Sequence, residues 1–356
     1  MIVYMLYMAS PVLLYIGFEL LTKTSVNNND RARKVYLACF FLIMTLMVGL
    51  RNPHNGSGDT MFYYTFWERI SKVPYKKLFN FTDSVDMEIG YQLTAWALSK
   101  VFRGGQWCLF LSGMFFAASV CIFVKRNCKN VVLALTVFNC LGLFNFMVQG
   151  QRQAIAMCIC LFSLEQCKKD KTIMFLLLIV FAMLFHSSAV VFAIVYILNK
   201  LKLNLKSYCI VGVSAAAAMA MLPRLFAMVN FFINDSYEIG QGAESGGVVA
   251  VLIYIAILVF GMIFKDTEDR HYPLYIYMAI VGVMAMVLRN YASSIVERIS
   301  SYFAFAQMVV ISNSVRAMKN PGYEVLVNSA VALLCIFVAL HKASYSELIP
   351  YLFFWQ

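Results

Sequence analysis

A short polar stretch, residues 51–64, carries several residue types that catalyse group transfer. It contains Arg51, His54, Asp59 and the pair Tyr63–Tyr64, and it follows directly on an apolar run. An arginine grips phosphate through a planar fork of donors, and a carboxylate or an imidazole can take a proton from a hydroxyl. These residue types indicate an anion-binding, proton-transferring face that begins where an apolar segment ends.

Other ionisable residues stand alone between apolar runs in the same way. They are Glu88, Arg152 between Gln151 and Gln153, His186, Arg289, and the pair Glu297–Arg298. Several arginines with few counter-charges favour an anionic ligand, and between long apolar walls the natural anion is a lipid phosphate or diphosphate. A diphosphate leaving group needs charge stabilisation more than an acid, whereas an attacking hydroxyl needs a base. We therefore assign Arg51, Arg152, Arg298 and Arg289 to diphosphate binding, and Asp59, His186 and Glu88 as candidate bases.

Most of these residues also have an ordinary structural interpretation. Arg51 could extend from a helix end towards water, Asp59 could stabilise a turn, and Glu88 could cap the helix that begins near Gly90. Arg152 is different, because a cation at the start of a helix opposes the helix dipole and needs another reason to be there. Asp59 and His186 are the preferred candidates for the base and Glu88 is the third, and sequence alone does not decide which of the three acts.

Aromatic side chains follow the polar stretch. Tyr63, Tyr64 and Trp67 form either an aromatic belt at the membrane interface or a stacking surface for sugar rings. We assign them, together with Tyr91, Gln153 and Tyr302, to sugar binding.

The overall composition is that of a membrane protein. Of the 356 residues, 62% are hydrophobic and only 13% are charged, whereas soluble domains carry roughly 25% charged residues. The net charge of +11 comes from short basic clusters between apolar runs, a pattern of topology signals that argues against a nucleic-acid partner. Most of the ten cysteines lie within apolar runs, so we predict no disulfide framework, no metal site and no cofactor. The fold class is therefore an all-α polytopic integral membrane protein, with the lipid bilayer as a partner.

About twelve apolar runs are candidate membrane spans. They lie at about 2–22, 35–50, 106–124, 130–147, 152–167, 172–186, 187–198, 207–231, 247–264, 272–288, 298–315 and 323–341. Every second loop is short and basic, and the positive-inside rule makes these loops cytoplasmic. This alternation requires that 172–198 is split near His186. It places both termini, and the isolated ionisable residues named above, on the external side.

Two external loops are long. Residues 51–105 form a large loop in which the apolar spacing of 91–102 predicts a short interfacial or re-entrant helix. Residues 223–246 form a second loop whose glycines indicate mobility, as in a lid. We treat residues 1–356 as one transmembrane domain that carries these two loops.

Five short motifs, in order, resemble a known family. They are Gly49-Leu-Arg51…Gly58-Asp59…Tyr63-Tyr64, Glu88-Ile-Gly90-Tyr91, Gln151-Arg152-Gln153-Ala-Ile-Ala156, Phe185-His186-Ser187-Ser188-Ala189 and Glu297-Arg298…Tyr302-Phe303. The ordered set resembles the EpsG-like branch of Wzy-type polysaccharide repeat-unit polymerases. The chain departs from that branch at Arg51-Asn-Pro-His54, where the branch more usually shows Arg-Tyr and a Val-Gly-X-Asp turn.

The resemblance implies a fold of the membrane glycosyltransferase C type and a metal-independent reaction on the periplasmic side of the bacterial inner membrane. It implies donor and acceptor glycans carried on undecaprenyl diphosphate, with a chain-length regulator and a flippase as further partners. Two alternatives stay open. A ligase that transfers finished polymer, such as an O-antigen ligase, needs the same arginines. A flippase or secondary transporter would instead place charges near the bilayer midplane and show internal repeats, and no repeat is found.

Overall fold

The computed structural model describes residues 2–54, 59–81, 87–233, 247–342 and 349–356. In these ranges the chain is all-helical, as predicted, because a helix satisfies its own backbone groups in lipid. The α-helices are α1 (Ile2–Thr22), α2 (Asp30–Gly49), α3 (Thr60–Ile70), α4 (Ile89–Val101), α5 (Gln106–Asn127), α6 (Val131–Cys140), α7 (Leu143–Gln149), α8 (Gln151–Lys168), α9 (Thr172–Met183), α10 (Val195–Leu198), α11 (Leu205–Ile233), α12 (Gly247–Ile263), α13 (Tyr272–Ala317) and α14 (Pro321–Lys342). Two 3₁₀ helices cover Tyr75–Asn80 and Ser187–Ile194.

Four of the described helices, α1, α2, α5 and α14, are long and apolar enough to cross a membrane. The pair α6 and α7 meets the same criterion as one span that bends by 58°. Shorter apolar helices occupy much of the rest of the described ranges. This pattern is that of a multi-pass membrane protein. Length and composition thus support four or five spans in the described ranges, and the total of about twelve stays a prediction.

The long helix α13 folds back on itself. The Ser300 hydroxyl donates to the Gly282 carbonyl at 3.3 Å, and the Tyr272 and Ser314 hydroxyls lie 2.6 Å apart. Along a straight helix these pairs would be separated by about 27 Å and about 63 Å. The two halves of α13 therefore run antiparallel, which agrees with the prediction of separate apolar segments at 272–288 and 298–315.

A proline in α1 is matched by an asparagine in α6. Pro11 has no N–H, so the carbonyl of Tyr7 loses its usual partner within the helix. The Asn139 amide donates to that carbonyl at 3.3 Å and to the Met8 carbonyl at 3.1 Å. Asn139 is fully buried. Its two hydrogen bonds therefore satisfy the backbone carbonyls of α1 at the interruption and also hold α1 against α6.

The basic loops gather at one end of the bundle. Arg33 donates to the Cys128 carbonyl, Lys129 pairs with Asp266 at 2.7 Å, and Lys319 pairs with Glu268 at 2.8 Å. Further links join Arg316 to Asn28 at 2.6 Å, Arg270 to the Lys168 carbonyl at 3.4 Å, and Lys200 to Asp170 at 2.5 Å. All six predicted cytoplasmic loops are thereby connected, and that this end faces the cytoplasm stays the prediction of the positive-inside rule.

The opposite end is built from the short helices of the large loop. Helix α3, the first 3₁₀ helix and α4 lie within residues 60–101, and α4 matches the short helix expected at 91–102. The first half of the second long loop, 223–233, belongs to α11, and residues 234–246 lie outside the described ranges, as does the lid predicted there.

Candidate active site

A close backbone contact joins the start of α4 to the end of α9. The Gly90 N–H donates to the Leu184 carbonyl at 2.7 Å. A Cβ on residue 90 would lie 2.6 Å from that same carbonyl oxygen, so only glycine permits this approach. Because Glu88 and His186 lie two residues from this contact on either side, it brings their side chains together.

Glu88 forms an ion pair with Arg152. Its carboxylate lies 2.5 Å from Arg152 Nη1, and both side chains are mostly buried, at 24% and 20% exposure. Glu88 precedes α4 but makes no side-chain hydrogen bond to the helix start, so it is not used as a cap. Arg152 Nε also donates to the Tyr63 hydroxyl at 3.4 Å, which ties α8 to α3. The cation that opposes the α8 dipole is therefore held by a carboxylate and a phenol from the large loop.

His186 lies beside this pair. Its Nδ1 is 3.9 Å from Glu88 Oε1, accepts the Ser188 backbone N–H at 3.4 Å, and lies 3.2 Å from the Ser188 hydroxyl. Because Nδ1 accepts a hydrogen bond, the neutral ring carries its proton on Nε2. Burial, with the charges of Arg152 and Arg298, lowers the pKa of His186 to about 4. The imidazole is consequently neutral at physiological pH and binds a proton weakly.

The backbone of Arg298 lies at the same end of the bundle. Its carbonyl accepts a hydrogen bond of 2.8 Å from the amide of Gln153, which is buried and adjacent to Arg152. The Arg298 side chain is exposed, and its charge acts on His186. Arg289 lies in α13, but its side chain is outside the described part of the chain, as is that of Glu297.

Arg51 lies at the beginning of the large loop and is buried. Its guanidinium donates to the hydroxyl of Thr60, which is fully buried at the start of α3. Burial lowers the pKa of Arg51 to about 10, so the side chain keeps its charge. Thr60 and Tyr63 are one turn apart on α3, so Arg51 and Arg152 contact the same face of this helix.

Asp59 is the most exposed of the three candidate bases. It directly precedes α3, makes no side-chain cap hydrogen bond, and accepts the Tyr63 N–H through its backbone carbonyl at 3.0 Å. It therefore lies next to the cluster, whereas Glu88 and His186 are inside it. His54 is exposed and its backbone N–H bonds to the Asn52 side chain at 2.9 Å, so the described contacts give it no place in the cluster.

The aromatic residues assigned to sugar binding pack into the walls of the cluster. Tyr63, Trp67, Tyr91 and Tyr302 are each less than 5% exposed, and Tyr64 is half-buried. The rings of Tyr63 and Tyr91 are 5.4 Å apart, and the indole of Trp67 donates to the Phe102 carbonyl at 3.0 Å. Sugar stacking on these rings stays a prediction, and it requires that they become uncovered.

Several residues of the site carried no assignment from sequence. Ser188 links His186 to Tyr302, because the Ser188 and Tyr302 hydroxyls are 3.0 Å apart. The Gln151 side chain accepts a hydrogen bond from the Tyr91 hydroxyl at 3.4 Å. Ser188 and Gln151 both lie within motifs of the family resemblance, so the assigned residues beside them were the signal in the sequence that could have identified them. Thr60 and Gly90 lie next to assigned residues, and their roles depend on contacts that no spacing reveals. No group of three or more His, Cys, Asp or Glu side chains suited to a metal ion occurs in the described ranges.

Comparison with known proteins identifies the family. The model of the EpsG family matches residues 34–353, almost the whole chain. The chain belongs to the EpsG family. No curated protein and no solved structure matches it significantly. Membership is consistent with a membrane glycosyltransferase that polymerises a surface polysaccharide, and the matched range contains every candidate residue of the cluster.

Proposed function

We propose that this EpsG-family protein polymerises oligosaccharide repeat units carried on undecaprenyl diphosphate, on the periplasmic face of a bacterial inner membrane, as in the Wzy-type polymerases. The observation that carries the proposal is the Glu88–Arg152 ion pair beside His186, which joins an anion-binding group and a base at one end of the bundle. Family membership supports the polymerase class, and the apolar helices support a lipid-linked substrate.

The proposed reaction is one glycosyl transfer for each repeat unit. A hydroxyl of the acceptor repeat gives its proton to a carboxylate, and its oxygen forms a bond to the anomeric carbon of the donor chain. The bond from that carbon to the diphosphate oxygen breaks, and the electron pair leaves with the lipid diphosphate. Arginine side chains stabilise the negative charge that develops on the leaving group.

Glu88 is the base that the geometry supports best. The lone pair of His186 Nδ1 already accepts a hydrogen bond and Nε2 carries the proton, so the ring has no free acceptor for the proton of a hydroxyl. Asp59 is exposed and lies outside the ion-paired cluster. We assign His186 to positioning, since its Nε2–H is a donor that can orient an acceptor hydroxyl.

The ion pair implies an order of events. With no substrate bound, the Glu88 carboxylate is engaged by the Arg152 guanidinium. A diphosphate carries more negative charge than a carboxylate and competes for the same guanidinium. Binding of the donor therefore releases Glu88 next to His186, so the base becomes available only when a leaving group is in place.

A groove between α1 and α2 supports the position of the lipid chain. It has a volume of about 380 Å³ and is lined mainly by apolar side chains, with the residues Val3, Leu6, Tyr7, Ser10, Leu13, Leu14, Ile43 and Met47. Leu6 and Leu13 are about half exposed on the outer surface of the bundle, so the groove is open to lipid. Met47 precedes Arg51 by one turn, so a hydrocarbon chain in this groove would lie below the charged end of the bundle.

The direct test is the glycan ladder made in cells. The chromosomal gene is replaced by Arg152→Ala, and separately by Arg103→Ala, which removes an exposed arginine from the loop before α5. We expect Arg152→Ala to leave single-repeat glycan only and Arg103→Ala to give the wild-type ladder. A normal ladder from Arg152→Ala, in membranes that contain the protein at wild-type level, would refute the proposal.

A further inference from the structure

The end of the chain returns to the candidate site after a separation of 300 residues in sequence. The Asn52 N–H donates to the Leu352 carbonyl at 2.9 Å, and the Phe354 N–H donates to the Leu50 carbonyl at 2.9 Å. Arg51 and Phe353 thereby lie directly opposite each other in an antiparallel bridge. The Tyr351 hydroxyl adds a bond of 3.0 Å to the Met47 carbonyl. The last residues are thus fixed to the segment that carries Arg51.

These residues present two stacked rings. The rings of Phe353 and Trp355 are 4.6 Å apart and inclined by only 6°, and Phe354 meets Trp355 edge-on at 4.9 Å. Gln356 closes a turn, because its side chain accepts the Phe353 N–H and its own N–H donates to the Phe353 carbonyl, both at 3.0 Å. The geometry of the rings is therefore set by backbone hydrogen bonds on both sides.

The outer ring of the stack is open. Trp355 is 61% exposed, whereas Tyr63, Trp67, Tyr91 and Tyr302 are buried. Residues directly opposite each other in an antiparallel pair point to the same side, so Arg51 and Phe353 share one side of this bridge. Trp355 belongs to the turn that follows, and its exposed indole is joined to that side by its stacking on the ring of Phe353.

We propose that Phe353 and Trp355 form a binding platform for a sugar ring of the growing glycan, a site that rests on the proposed function. The π face of an aromatic ring is negative, and the face of a pyranose presents weakly positive C–H groups, so the two stack. The platform is large and flat, and Phe353 lies opposite Arg51, which contacts the same face of α3 as Arg152. It would hold a sugar some distance from the reacting bond, and so favour the extension of long chains over short ones.

An exposed tryptophan at a membrane interface can also be a lipid anchor. Trp107 provides a matched comparison, because it is 42% exposed at the start of α5 and its neighbours Phe102 and Phe110 are inclined at 44° and 62°. A lipid anchor needs apolar contact only, so the two tryptophans would then act alike. A sugar platform needs the flat stack that Trp355 alone of these two possesses.

The test measures binding without turnover. Purified protein in detergent is titrated with lipid-free repeat-unit oligosaccharide, released by mild acid from the cognate polysaccharide, and binding is followed by NMR saturation transfer. We expect Trp355→Ala to weaken binding about tenfold, Trp355→Phe to keep most of it, and Trp107→Ala to leave it unchanged.

Three results would overturn the platform: no binding by the wild-type protein, unchanged affinity in Trp355→Ala, or an equal loss in Trp107→Ala. The proposed reaction fails separately, by a normal ladder from Arg152→Ala. The platform stands in that case if Trp355→Ala still loses oligosaccharide binding.

Discussion

The contact between Gly90 and Leu184 predicts a strong effect from the smallest substitution. In Gly90→Ala the new methyl group lies 2.6 Å from the Leu184 carbonyl oxygen, where ordinary contact begins at 3.4 Å. The start of α4 must therefore move by about 0.8 Å, and the 2.7 Å hydrogen bond from Gly90 is lost or stretched. The lost bond costs about 1 kcal/mol of stability. A displacement of about 1 Å at a catalytic group costs up to about 100-fold in rate.

The assay is extension of a lipid-linked repeat by purified enzyme at saturating substrate, with the melting temperature recorded for each variant. We expect Gly90→Ala to lower kcat by about 10- to 100-fold while the protein stays folded. Gly150→Ala is the matched control, because a Cβ there meets the Phe146 carbonyl at an ordinary 3.6 Å, close to Arg152. Wild-type kcat in Gly90→Ala, or an equal loss in Gly150→Ala, would refute the argument that this contact positions Glu88.

Three further predictions follow from other contacts. Arg152→Lys replaces the guanidinium that holds both Glu88 and Tyr63 by a single ammonium group. This variant should retain partial polymerisation, measured as glycan ladder length, whereas Arg152→Ala should have none. His186 binds a proton below about pH 6.5 in the unfolded chain but only near pH 4 in the folded protein. The free energy of unfolding should therefore fall as the pH drops between these values, by up to about 3 kcal/mol. Thermal melts of His186→Gln should show a weaker dependence on pH. Asn139→Ala should destabilise the protein by about 1–3 kcal/mol, and by less in a Pro11→Ala background, where an N–H is again available to the Tyr7 carbonyl; equal costs in both backgrounds, measured by denaturation, would contradict the pairing.

Much of the architecture could be predicted from the apolar runs and the basic clusters. The runs anticipated α1, α2, α5, α14 and the two antiparallel halves of α13, because about 20 apolar residues have few alternatives to a helix in lipid. The alternation of basic loops also grouped the candidate residues at one end before any contact was known. The spacing of apolar residues and the distribution of charge indicate which side of a helix or of the membrane a residue occupies. The prediction used these two properties.

The pairing of side chains could not be predicted in the same way. Glu88 and Arg152 are 64 residues apart, and either could have met several other charges at that end of the bundle. The backbone bridge between Arg51 and Phe353 joins residues that are far apart in sequence, and residues 349–356 carry no motif beyond their aromatic residues. Sequence reasoning placed Asp59 and His186 ahead of Glu88 as the base, and we propose the reverse order because of burial and tautomer, which are properties of the folded state.

The most direct test of the central claim measures donor binding and turnover together in Glu88→Gln. The claim is that Glu88 both restrains Arg152 in the free enzyme and acts as the base once the diphosphate displaces it. Glutamine keeps the shape but removes the competing charge, so undecaprenyl diphosphate should bind more tightly than to wild type while single-turnover extension falls by at least about 100-fold. Weaker diphosphate binding, or extension at the wild-type rate, would contradict the account.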